Sequence, residues 1–532
     1  MTSEYAEPTK VMARQQVIDS AIAALTTNRN DATLCRRTYV REVRDTLMAR
    51  RGYDAVAAAK LTDYTIDRWE AFYDSVTQSR DAKNLKVAYL CGPNPENDLH
   101  VFCAAGILPE NIWAFESDAN IHDKAVASAL ASEFPFIKII NSGIDTFLEA
   151  SPMRFDIIYL DFCGPLPSRN KKQKTLLAIS RVLARHALNS PGALITNVSL
   201  PTEAGDAAGR KLLAKLIACY LYPKEFLEGE ADTTPEGPVA HGYDFDEWLG
   251  IVSSDLENYY GQFVTRVLMD HASFISPYSR FPKSSKIFSN FFAKVPEANS
   301  KALVRSAFHF VDAEEGGDVI VDAGQYPVLW AFAALDKKTN AKDRNYPQWV
   351  NTDDDFASFA ELFLSQLQTD NQKDELVKNT CELTFSMLGG DAFLAAPLAK
   401  VVRDHRFQNY YQFCDLVLEH QIVELLFRQV AVPYHFNVEM TRRWRYQAKE
   451  TPMFMDMAIL DECRYLYDWM PTTEMVSAGF SDIERQLAYR FALDGVGKHR
   501  RWYNNEYFFG TAVIDQFADS FEAKILHPRS EL

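Results

Sequence analysis

Apolar residues recur three and four positions apart in "VMARQQVIDSAIAAL" (11–25) and "RRTYVREVRDTLMARRG" (36–52), the spacing that puts one oily stripe along a helix. Residues 11–80 therefore read as helices, with Asp31 or Thr33 placed to cap the second. From Lys86 the period changes. Short, nearly continuous apolar runs, "KVAYLC", "NIWAFES", "IKIINS", "FDIIYLD" and "GALITNVS", alternate with helical stretches. That alternation predicts βαβ units and a parallel sheet covered by helices on both faces. "SKIFSNFFAKV" (285–295) and "KALVRSAFHFVD" (301–312) follow as an expected antiparallel pair closing the sheet edge, making seven strands.

Between these runs, "KEFLEGEADTTPEGPVAHGY" (224–243) reads as an acidic surface loop before a helical stretch at 245–272. "DAEEGGDVIVDAGQY" (312–326) and "DKKTNAKDRNYPQWVNTDDD" (336–355) read as a boundary. Beyond them the period is helical again, in 356–367, 408–430 and 482–493. The expected organisation is an N-terminal helical segment (1–84), a Rossmann-like domain (85–312, with an insertion at about 203–275), a linker region (313–355) and a mainly helical C-terminal domain (356–532).

Composition narrows the function classes. The 532 residues are 47% hydrophobic and 24% charged, as in ordinary globular proteins. The N-terminus has no signal-peptide pattern and no apolar run of membrane-spanning length occurs, so the expected location is the cytoplasm. Eight scattered cysteines form no C-x-x-C pair and no His/Cys cluster at zinc spacing, which predicts reduced core thiols and no metal site. A net charge of −16 opposes general attraction to nucleic acid, so any such contact requires a local basic patch.

Candidate chemistry gathers at the predicted strand ends, where open α/β sheets bind ligands. After the first strand comes "CGPNPEND". Gly92 suits a close backbone approach to a ligand, and Pro93 and Asn94 lead into a helix with Asn94 as N-cap and Pro95 at its first position. One glycine stands where a dinucleotide fold has three, which disfavours NAD or FAD. Glu116 and Asp118 end the second strand, placed either for ribose hydroxyls or to cap the next helix. Gly143 and Asp145 follow the third, near an adenine edge or in an ordinary turn. The fourth runs into Asp161, Phe162, Cys163 and Gly164. There the carboxylate is placed to orient an acceptor and Phe162 to stack on it, unless Asp161 merely caps the turn. Asp98 is a secondary candidate, or a helix-dipole acid.

Together these residues resemble class I S-adenosylmethionine (SAM)-dependent methyltransferases, a seven-stranded Rossmann-like family, over about residues 80–312. The resemblance implies that Gly92, Pro93 and Asn94 cradle the methionine part of SAM. It likewise puts Glu116 (or Asp118) on the ribose, Asp145 near the adenine, and Asp161, Phe162 and Gly164 toward the substrate. The strand-four motif resembles the Asp-Pro-Phe-Gly or Asp-Pro-Pro-Tyr type of amino-group methyltransferases, keeping the Asp and the Gly.

Two C-terminal stretches interleave cations and aromatics: Arg442, Arg443, Trp444 and Arg445 in 433–449, and Arg500, Arg501 and Trp502 in 497–510. They read as a substrate surface for RNA or DNA, or as aromatic core with the arginines paired or reaching to water. The expected function is SAM-dependent methyl transfer with RNA or another nucleic acid as acceptor. The alternative is a catalytically inactive relative serving as a binding module.

Overall fold

The computed structural model describes residues 7–50, 53–170, 173–221, 245–280, 327–337, 347–367, 431–470, 482–498 and 526–532, with a few isolated positions between them. Its centre is a mixed eight-stranded sheet in an α/β fold. The strands are β1 (Val87–Leu90), β2 (Ile112–Glu116), β3 (Lys138–Asn141), β4 (Phe155–Asp161), β5 (Leu188–Ser199), β6 (His435–Ala448), β7 (Thr451–Asp461) and β8 (Ser530–Glu531). Their order is β3-β2-β1-β4-β5-β7-β6-β8, with β7 alone running against the rest.

The five strands expected between 86 and 199 are all present. Beside β5 the described sheet is closed by an antiparallel pair. β6 and β7 supply it, within the span expected to be a helical C-terminal domain. Apart from Ser289, Phe292 and Ala293, both expected strands, 285–295 and 301–312, lie outside the described residues, as does the loop at 224–243. The register of β6 against β7 shifts between Asn437 and Arg442.

Alternate strand residues face two cores. On one side Val87, Tyr89, Ile157, Tyr159, Ala193, Ile195, Trp444, Tyr446 and Met455 meet helices α1 (Pro8–Leu25), through Ala13, Val17 and Ile18, and α6 (Glu96–Ala104), through Leu99 and Phe102. Between these in sequence come α2 (Arg29–Ala32), α3 (Tyr39–Ala49), α4 (Tyr53–Ala58) and α5 (Asp63–Thr77). On the other side Ala88, Phe115, Ile158, Leu160, Leu194, Val198 and Phe454 meet α5, α8 (Ile144–Ala150), α9 (Thr175–Ala184), α10 (Glu203–Leu221) and α12 (Leu256–Asp270). α7 (Ala119–Ala131) follows β2, and α11 (Phe245–Ser254) precedes α12. Helices at Asp354–Gln366 and Ile483–Lys498 agree with the helical periods at 356–367 and 482–493. Among the described residues no helix is long and apolar enough to cross a membrane.

Because strand order reverses between β1 and β4, the loops leaving these two strands diverge and open a crevice at the carboxyl edge.

Candidate functional site

That crevice is a cleft of about 590 Å3, within the range of small-molecule sites. Gly92, Pro93, Asn94, Glu116, Asp145, Asp161, Phe162 and Gly164 all line it, although they come from four separate strand ends. Asp118 does not. Its Oδ1 accepts from the backbone N–H of Asn120 (2.9 Å) and Ile121 (3.2 Å), making it the N-cap of α7.

The loop after β1 turns at Gly92, whose φ of +57° lies in the left-handed region. A Cβ there would meet nothing within 4 Å, so the backbone faces open space. Tyr89 Oη donates to the carbonyl of Pro95 at 2.7 Å and pins the start of α6. The helix starts at Glu96 with Pro95 in the N-cap position, one residue later than expected, and the Asn94 side chain makes no capping bond.

Glu116 Oε1 accepts from the backbone N–H of Asp118 at 2.8 Å, leaving its other oxygen for a ligand hydroxyl. Asp145 lies in the first turn of α8, its carboxylate so close over Gly143 that a Cβ at that position would collide with it. A side chain at Gly164 would press on Gln173 Oε1 at 2.7 Å. Phe162 packs against the core at the cleft wall.

Asp161 is held from two sides. Oδ1 accepts from Asn197 Nδ2 at 2.8 Å, and Oδ2 pairs with Lys10 Nζ at 2.9 Å. Asn197 Nδ2 also donates to Tyr446 Oη at 2.8 Å. One helical turn along α1, Arg14 Nε lies 2.6 Å from Oδ1 of Asp98, which is buried. Burial pushes the Asp98 carboxyl up to about 6 and the nearby Asp161 charge adds to this, while Arg14 works against it. Burial opposes the charge on Lys10, but the Asp161 carboxylate outweighs it and holds the ammonium more firmly protonated than an exposed lysine. The inner end of the cleft is thus a compact set of two cations and two carboxylates.

Lys10, Arg14 and Asn197 were not anticipated. Asn197 carried a usable signal, since a polar residue interrupts the apolar run "GALITNVS" beside the end of β4. Lys10 and Arg14 carried only an i, i+4 spacing on a helix, which says nothing of the strand they meet.

The C-terminal candidates are elsewhere. Arg443 and Trp444 are buried in β6, and Arg443 Nη2 donates to the carbonyl of His527 at 2.6 Å. Arg442 Nη1 donates to the carbonyls of Glu439 and Thr441, and Arg445 pairs with Glu257 (2.9 Å) and Glu531 (3.5 Å). None of the four lines the cleft. At 442–445 the aromatic side chain turns inward and the arginines bond within the chain, the second of the two readings that the sequence leaves open. Arg500, Arg501 and Trp502 lie outside the described residues.

Among the described residues no group of three or more His, Cys, Asp or Glu side chains could hold a metal ion. No protein-family model matches the sequence, and no curated protein matches it.

Proposed function

We propose that this protein is a SAM-dependent methyltransferase whose cofactor lies in the cleft between the β1 and β2 loops and whose acceptor meets Asp161. The observation carrying this reading is the convergence of Gly92, Glu116, Asp145 and Asp161 on one cleft. Supporting it is the sheet order, a doubly wound β3-β2-β1-β4-β5 core closed by an antiparallel pair.

The residues suit SAM in kind. Gly92 offers open backbone, Glu116 a free carboxylate oxygen for ribose hydroxyls, Asp145 an acceptor for an adenine amine, and the N-terminus of α6 the positive end of a helix dipole for the amino-acid carboxylate. Of the cations that line the cleft, Lys10 and Arg14 are already paired with carboxylates, which leaves Lys174 for a pyrophosphate, and the loop after β1 has one glycine where a dinucleotide fold has three. When bound, SAM supplies an electrophilic methyl group. The chain contributes orientation of the acceptor and, at Asp161, a place for its proton.

The described residues give no support to a nucleic-acid acceptor, since none of Arg442 to Arg445 lines the cleft. The rival reading, an inactive relative used as an interaction module, draws on the neutralisation of Asp161 by Lys10.

The test is transfer of labelled methyl from SAM into the RNA, protein and small-molecule fractions of a cell extract. Label in one fraction, lost with a folded Asp161→Ala variant, supports the enzyme. Label that persists in that variant removes Asp161 from the site, and no label in any fraction favours the interaction module.

A further inference from the structure

The strand-four carboxylate faces an amine that belongs to the chain itself. Lys10 Nζ, at the end of an unbranched four-carbon stem, reaches in from α1 and sits 2.9 Å from Asp161 Oδ2 within the cleft lining. The other Asp161 oxygen takes its bond from Asn197. An acceptor amine approaching Asp161 therefore finds both oxygens engaged, one of them by an ammonium. Two ammonium groups beside one carboxylate repel each other at close range, which favours departure of one as the other settles.

The helix that carries Lys10 is tied down near its start by polar contacts to the β6–β7 turn. Thr9 Oγ1 donates to the carbonyl of Gln447 at 2.9 Å, and Glu7 Oε1 accepts from the backbone N–H of Lys449 at 2.8 Å. The apolar anchor of α1, Ala13, Val17, Ile18 and Ala21, lies further along. Exchange at Lys10 requires the stem to swing or the first turn to lift, without disturbing that anchor.

Resting on the methyltransferase reading, we propose that Lys10 is an internal occupant of the acceptor position and that the acceptor is a primary alkylamine on an unbranched arm, such as a lysine side chain or a polyamine. The incoming amine replaces Lys10 at Asp161 and passes one proton to that carboxylate and on to water. Its freed lone pair then forms the N–C bond, while the electron pair of the broken C–S bond stays on the departing thioether. Lys10 in place keeps the site closed to other nucleophiles, water included.

Removing the stem makes the idea testable without the natural acceptor. Lys10→Ala deletes three carbons and the amine, the outline of propylamine, and alanine suits a helix. The variant should bind propylamine by calorimetry at least about tenfold more tightly than the unaltered protein does, a difference of about 1.4 kcal/mol. Adding Asp161→Asn should abolish the gain. With SAM present, Lys10→Ala should convert propylamine to N-methylpropylamine, detected by mass spectrometry. Lys10→Ser provides the same opening should the alanine variant not fold. No gain in propylamine binding overturns the proposal. So does binding without methylation in a variant that takes up SAM, which would make Lys10 a structural counter-ion and leave the cofactor reading standing. Failure of the unaltered protein to bind SAM removes that reading and this proposal together.

Discussion

On the β5–β7–β6 side of the sheet, buried charges are answered from within the chain; at the carboxyl ends of β2 and β3, acids stand at a cleft with bonding capacity left over. Asp456, fully buried on β7, takes hydrogen bonds from Arg529 Nη1 and Thr265 Oγ1, both at 2.5 Å. Arg529 also donates to the carbonyls of Gly261 and Trp444. Glu116, by contrast, makes one bond to its own turn and opens to the cleft. By composition alone, the arginines and tryptophan of β6 suggest a functional surface, whereas the acids at the ends of β2 and β3 are unremarkable. A polar residue's role follows from whether its bonding groups are already satisfied by the fold.

Asp456 is where the packed side should fail most visibly. Asp456→Ala leaves the Arg529 guanidinium buried without its carboxylate and should cost on the order of 3–5 kcal/mol in denaturant unfolding. A loss under about 1 kcal/mol would mean that this pair behaves like an exposed one.

Next in size is a pH effect in the same packed region. His271 is buried between Ser180 Oγ and Ser276 Oγ, each 2.7 Å from a ring nitrogen, and burial, with a smaller push from Arg280, lowers its pKa to about 4. The unfolded chain takes up this proton near pH 6.5 and the folded protein only near 4, so stability rises with pH across that window. The contribution is complete above about pH 6.5, and about 3 kcal/mol of it is lost on acidification to pH 4. Unfolding free energies measured at steps through this window should show the slope, and His271→Asn should flatten it.

Glu116 and Asp118, two residues apart, divide the two roles within a single strand end. Glu116→Ala should weaken SAM binding by about ten- to hundredfold, with unfolding free energy changed by less than about 0.5 kcal/mol. Asp118→Ala should do the reverse, costing about 1 kcal/mol of stability through the lost α7 cap and leaving SAM affinity unchanged. Equal effects of both variants on binding would erase the division of roles between the two acids.

Legibility followed the same division. Continuous apolar runs made β1 to β5 readable, and the rule that ligands meet carboxyl strand ends picked out Gly92, Glu116, Asp145 and Asp161 in advance. β6 was not read as a strand, because Arg442, Arg443 and Arg445 drew the reading to a basic and aromatic surface, although Phe436, Val438, Met440, Trp444, Tyr446 and Ala448 alternate along it. Nor could sequence bring Lys10 to Asp161, since that contact depends on how α1 lies across the sheet. The choice between Glu116 and Asp118 rested on side-chain direction at one strand end, which spacing does not encode.

The most direct test of the cofactor reading is calorimetric titration with SAM and its demethylated product, with NAD as control, on the unaltered protein and Glu116→Ala. Micromolar binding of both SAM and the product, weakened in the variant, with NAD not bound, is the predicted result. Absence of binding by either, or binding of NAD in their place, would contradict it.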